Sequence, residues 1–269
     1  MKLLTNSLKK IFSARGFEVR RIRRRGEDRR TNLAEALAHI SRLGFKPKTV
    51  IDVGVATGTY ELYKTFPNAK HLLIEPLREF EDYLKQITFK YRAEYIIAAA
   101  GSRSGRMDIH VHPDLLGSSL FKETDGSYVD GISRNVPVIT IDAQCHEKHL
   151  KAPYIIKIDV QGAELLVLEG ARRILKDTEV VILEVHFFHF YKNAPQFFDV
   201  VVRLKKLGFV TYDIFGGHNR PIDYALASVD MVFVKESGIF RESHSFAPRE
   251  LREKLNKTVL RNAQTAIEA

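Results

Sequence analysis

The 269-residue sequence predicts an α/β fold with a mostly parallel sheet, and three observations carry that prediction. From Thr49 onward, short apolar runs alternate with segments of helical period, the βαβ pattern. Runs such as Val50-Ile51 and Val180-Val181-Ile182-Leu183 are continuously apolar, as strands covered on both faces are. The last two strands are joined only by residues 216–227, too short for a parallel crossover, so the final strand should run antiparallel.

Length and composition fit one large domain with appendages: 45% apolar and 28% charged residues exclude global disorder. The single cysteine, Cys145, excludes a disulfide framework and any cysteine-only metal site, and a cytoplasmic location is expected. No apolar run reaches the ~18–20 residues of a membrane span. Lys9 and Lys10 stand where a secretion signal keeps its apolar segment.

Residues 1–30 form a basic arm, with eleven basic and three acidic residues; they hold +8 of the formal net charge of +9. Leu4, Leu8 and Ile11 recur at helical spacing, with Leu3 and Phe12 beside them, so part of the arm suits an amphipathic helix. A solvated tail is the plain reading of the arginine run. An anionic membrane surface or a lipid-linked glycan, at the inner face of the membrane, is the functional one.

Residues 31–236 read as the main domain. Thr31 or Asn32 caps a helix with Leu33, Leu37, Ile40 and Leu43 on one face. Strands are expected near 49–54, 71–75, 95–100, 154–159, 180–186, 209–215 and 228–235, and helices near 60–66, 77–86, 163–176 and 194–207. Residues 102–142 read as an insertion with strands near 107–112 and 136–141. The tail, 237–269, has Leu251, Leu255 and Val259 at helical spacing.

Chemistry concentrates in two motifs. Asp52-Val53-Gly54-Val55-Ala56-Thr57-Gly58 closes the first strand, and Glu75 closes the second. Glycines let backbone approach a ligand, and an acid about 20 residues on can accept from ribose hydroxyls. The Gly-x-x-x-Gly spacing and Asp52 disfavour a pyrophosphate and favour the cationic amino-acid end of S-adenosylmethionine over NAD. Ile156-Lys157-Ile158-Asp159-Val160-Gln161-Gly162 then ends a core strand at the same rim, where Glu184 and His186 also arrive. Asp159, Glu184 and His186 could orient a hydroxyl or take its proton. Their plain alternatives are a helix cap, a buried ion pair and a packing histidine. Lys157 reads as a snorkelling or helix-contacting lysine rather than a catalytic one. Cys145, His146 and His149 are too poorly spaced for a metal site, and no metal is expected. His110, His112 and His189 read as surface or packing histidines.

These residues, with Ala98–Gly101, Val138–Asp142, Ile156–Ala171 and Ile182-Leu183-Glu184, resemble the FkbM family of S-adenosylmethionine-dependent methyltransferases over roughly residues 48–236. The resemblance implies a class I methyltransferase fold, Rossmann-like and three-layered, with seven strands, the last antiparallel. It implies O-methylation of a sugar or related small-molecule hydroxyl. Carried over by position, Asp52, Gly54, Gly58 and Glu75 serve the cofactor, and Asp159 and Glu184 line the acceptor side. Ala56 stands where members typically have Asn, and Gln161 where many have Glu; Gln161 can position an acceptor but cannot act as a base. Two other readings follow: an RNA 2′-O-methyltransferase using the arm, or a cofactor-binding module without catalysis. The near-neutral body argues against a nucleic-acid partner, and the lack of an Asn/Asp-Pro-Pro-aromatic motif argues against methylation of base amines.

Overall fold

The computed structural model describes residues 30–267. The expected amphipathic segment and nearly all of the basic run lie outside the described residues. Helix α1 (Leu33–Arg42) opens the fold; the Asn32 side chain accepts the Glu35 amide at 3.0 Å and caps it. Strand β1 (Thr49–Val53) follows, then α2 (Tyr60–Thr65), β2 (Lys70–Glu75), α3 (Glu81–Lys90) and β3 (Ala93–Ile97). Next come β4 (Ala99–Ala100), β5 (Gly105–Val111), β6 (Ile132–Ile139), α4 (Ile141–Glu147), β7 (Tyr154–Ile158) and α5 (Glu164–Glu169). Strand β8 (Thr178–His186), α6 (Phe197–Lys206), β9 (Phe209–Asn219), β10 (Leu226–Lys235) and α7 (Arg249–Ile267) complete it.

Seven strands form one sheet in the order β3-β2-β1-β7-β8-β10-β9. All pairs among the first five are parallel, while β10 inserts antiparallel between β8 and β9. Alternation along each strand sends Val50, Ile155, Ile182 and Val232 against α1, α2 and α3. Ile51, Ile156, Val181 and Phe233 face α4, α5 and α6 on the other side. The result is the three-layered class I methyltransferase architecture.

Several local expectations change. The strand expected over 95–100 splits: Ile97 ends β3, and Ala99–Ala100 pairs instead with β6 in a second, three-stranded sheet, β4-β6-β5. The strand expected over 136–141 ends earlier, because Thr140 accepts the Ala143 amide at 3.2 Å and starts α4. The helix expected over 163–176 is interrupted at Gly170, where an added Cβ would lie 2.0 Å from the Gly101 carbonyl oxygen. The loop expected over 216–227 is half strand, since β9 runs on to Asn219 and β10 begins at Leu226. On α7, Leu251, Leu255 and Val259 are exposed.

Candidate active site

The turn after β1 is set by steric exclusion. Gly54 has φ +75°, and a Cβ there would lie 1.7 Å from the Asp159 carbonyl oxygen, so this crossing of two strand ends admits only glycine. Gly58 also has positive φ, but its missing Cβ makes room for Ile87 of α3; its role is helix packing beneath the turn. Glu75 ties the two turns together. Its Oε2 accepts the Ala56 amide and its Oε1 the Leu77 amide, both at 2.9 Å. Burial raises its pKa, and the two amide donors oppose that rise.

Above Glu75 lies a cavity of about 250 Å³. Ile74, Leu77, Phe80, Ile109, Leu115 and Leu120 supply apolar walls; Gly54, Glu75, Ser119, Asp159 and Gln161 supply polar ones. The second sheet and the loop around Ser118 thus roof the carboxyl ends of the core strands. Apolar walls suit a purine, and each Glu75 oxygen keeps a second lone pair for a ribose hydroxyl.

Asp52 does not line the cavity. It is fully buried below it, its Oδ2 accepting from the Tyr63 hydroxyl and its Oδ1 without a hydrogen-bond partner among the described residues. Burial raises its pKa. Lys157, expected to snorkel to solvent or to contact a helix, instead lies between carboxylates, 3.1 Å from Asp159 and 4.0 Å from Asp52. β1 and β7 pair Asp52 with Lys157, so both point to one face. The two acids hold the ammonium charged despite its burial.

Gln161 is the centre of the rim. Its Nε2 donates to Asp159 Oδ1 at 2.9 Å and to Glu184 Oε2 at 3.2 Å, while its Oε1 accepts from the Tyr191 hydroxyl at 3.0 Å. Both amide protons are used to hold two carboxylates together, which a glutamate could not do. The residue stands at φ +55°, in a turn whose Val160 and Gly162 amides donate to the buried Glu164 carboxylate. Burial lifts the Glu164 pKa to about 7.

His186 is buried, its Nε2 3.6 Å from Glu184 Oε2 and its ring between Phe190 and Tyr191. Desolvation lowers its pKa. It braces Glu184 and has little access to a ligand. Sequence reasoning missed Asp230 and Ser228 on β10. Asp230 pairs in register with Glu184, and burial, with Asp159 and Glu184 nearby, raises its pKa to about 6. The Ser228 hydroxyl donates to Glu184 Oε1 at 2.9 Å. Period two from Val232 would have placed both on the rim face. His112 pairs with Asp114 instead, and Cys145 is buried in the core, where its thiol pKa is pushed up to about 12. Among the described residues no group of three or more His, Cys, Asp or Glu side chains is placed to hold a metal ion.

The family model of the methyltransferase FkbM domain matches residues 52–211, more than half of the chain. The chain belongs to the FkbM methyltransferase family. It is accordingly an S-adenosylmethionine-dependent methyltransferase. Solved structures similar to this FkbM protein include magnesium protoporphyrin IX methyltransferase from Synechocystis PCC 6803 with bound S-adenosylmethionine. That match has 11% identity, covers 86% of this chain and 96% of that one, and has a TM-score of 0.42. A putative RNA methyltransferase from Pyrococcus horikoshii is 16% identical over 85% of this chain and 98% of its own, with a TM-score of 0.41. A putative rRNA methylase from Clostridium thermocellum is 9% identical over 77% and 97%, with a TM-score of 0.44. No curated protein matches the chain.

Proposed function

We propose that this FkbM methyltransferase methylates a hydroxyl of a sugar, a glycan precursor or a related small molecule. One observation carries the reading: Asp159 and Gln161 belong both to the cavity wall and to the hydrogen-bonded carboxylate rim. Acceptors for a hydroxyl proton therefore adjoin the place for the methyl donor. Gly54 and Glu75 would hold S-adenosylmethionine directly, with Asp52 and Gly58 supporting the turn from below. When bound, that molecule supplies an electrophilic methyl group on a sulfonium. The chain's own residues supply position and charge. Asp159 and Glu184 hold the acceptor hydroxyl, Gln161 sets their spacing, and His186 fixes Glu184. A carboxylate-rich rim favours a cationic donor and a neutral hydroxyl, and it repels a phosphodiester backbone, which weighs against RNA.

The arm extends this reading. The Arg30 guanidinium pairs with Asp213, and the Gly216 amide donates to the Thr31 carbonyl at 3.1 Å, so the first described residues are tied to β9. We read the arm as a contact to an anionic membrane surface or a lipid-linked glycan, from the cytoplasmic side. Among the described residues no helix is long and apolar enough to cross a membrane. Vesicle flotation of the full chain and of a variant lacking residues 1–29 tests this. Equal flotation on anionic vesicles rejects it.

Incubation with methyl-labelled S-adenosylmethionine and fractionated cell extract tests the main reading. The expected product is an alkali-stable methyl ether in the glycan or small-molecule fraction. Label in nuclease-sensitive material, or on nitrogen, would overturn it.

A further inference from the structure

Strand β9 does not stop at its glycine pair. Between the pairs Ser228↔His218 and Asp230↔Phe215, three steps along β9 oppose two along β10, which is a β-bulge at Gly216-Gly217. Both glycines have positive φ, and a Cβ on Gly217 would lie 2.4 Å from the Ser228 carbonyl oxygen. The bulge brings exposed His218 against buried Ser228, with Nδ1 3.1 Å from Oγ.

The direction of these hydrogen bonds is fixed by chemistry. A carboxylate only accepts, so the single Ser228 hydroxyl proton goes to Glu184 Oε1. The contact to His218 must then be donated by Nδ1–H. Three hydrogen bonds thus connect cavity-lining Gln161 through Glu184 and Ser228 to an exposed imidazole. Asp159 is neutralised by Lys157 at 3.1 Å, whereas no lysine or arginine pairs with Glu184 among the described residues.

We infer that Glu184 is the base for the acceptor hydroxyl and that His218, acting through Ser228, is the positioning residue that holds it ready. The inference rests on the hydroxyl-methylation reading above. In the step it serves, the acceptor oxygen bonds to the methyl carbon as the carbon–sulfur bond breaks. Sulfur keeps the electron pair, and the hydroxyl proton passes to the Glu184 carboxylate. Nδ1–H occupies a serine lone pair and commits the serine proton to Glu184. The other groups around Glu184 are Asp159 just past β7, Gln161 and Tyr191, His186 on β8 and Asp230 on β10, with Lys157 of β7 paired to Asp159.

The test uses asparagine, whose Nδ2 stands where histidine carries Nδ1. The Glu184 carboxyl is titrated by carbon-13 NMR in the full chain, assigned with Glu184→Gln, and needs no acceptor. Ser228→Ala and His218→Ala should each raise its midpoint, because each removes support for the charged carboxylate. His218→Asn should restore the value of the unaltered protein. His218 is exposed, so these variants should fold; thermal melts check this. The acid limb of methyl incorporation from the labelled extract should move with the same variants. An unmoved carboxyl midpoint overturns the positioning role. A moved midpoint with an unmoved rate limb overturns Glu184 as the base, and an asparagine variant as impaired as alanine overturns donation from Nδ1–H as the positioning contact. Transfer by the unaltered enzyme to nitrogen alone would instead refute the hydroxyl reading.

Discussion

Replacing Gln161 with glutamate changes one NH2 to oxygen at almost constant shape, and the geometry fixes the consequence. The new oxygen would lie 2.9 Å from Asp159 Oδ1 and 3.2 Å from Glu184 Oε2. Each contact between unit charges at that distance costs roughly 5 kcal/mol at an effective dielectric constant of about 20. Taking up a proton at pH 7 costs less, about 3.7 kcal/mol for a carboxyl with an unperturbed pKa of about 4.3. The variant therefore binds a proton on folding. Its one O–H replaces two N–H donors, so a further ~1.5–3 kcal/mol is lost at every pH. The folded pKa lies above the unfolded one, so stability falls as pH rises, by about 1.4 kcal/mol per unit above about pH 4.3. Urea unfolding of Gln161→Glu and the unaltered protein, compared at pH 5 and 7.5, should give a deficit about 3 kcal/mol larger at the higher pH. A deficit equal at both values would mean that no carboxylates face residue 161, and the description of the rim would fail.

Three further outcomes follow from single positions. Ala56 stands at φ +46°, a left-handed conformation that asparagine tolerates better, so Ala56→Asn should stabilise by up to about 1 kcal/mol and raise the melting temperature by about 2 °C; an unchanged or lower melting temperature contradicts this. Cys145, with its thiol pushed up to about 12 by burial, should resist a thiol reagent at pH 8 in the native protein and react fully in urea. His71 is buried with a pKa lowered to about 4, so its contribution to stability is present above about pH 6.5 and fades as pH falls toward 4. Acid unfolding of His71→Gln should show a flatter limb across that range, and an unaltered slope would contradict the assignment.

Much of the fold is legible because its signals are local. β1, β2 and β8 carry continuous apolar stretches (Val50-Ile51, Leu72-Leu73-Ile74 and Val180-Val181-Ile182-Leu183), and the short connection before β10 allows no parallel crossover. Glu75 and Gly54 are equally legible, because a turn that must approach another strand end needs glycine at a set place. The errors arise where a distant partner decides. Ala99 and Ala100 continue an apolar run but pair with β6, and Gly170 breaks a helix because Gly101 passes beside it. Lys157 looks solvent-seeking until Asp52 and Asp159 flank it. Gln161 looks like a lost glutamate until Asp159 and Glu184 are seen to converge on its amide. The pair Gly216-Gly217 suggests a loop, yet isolated glycines in a strand also mark bulges, and that second meaning would have carried β9 on to His218.

The most direct measurement is calorimetric titration of S-adenosylmethionine into the full chain and into Glu75→Ala. The unaltered protein should bind one equivalent, and the variant, still folded by circular dichroism, should bind at least tenfold more weakly or not at all. Equal affinity in a folded Glu75→Ala variant would contradict the placement of the cofactor above Glu75, and with it the reading of the Asp159–Gln161–Glu184 rim as the acceptor side.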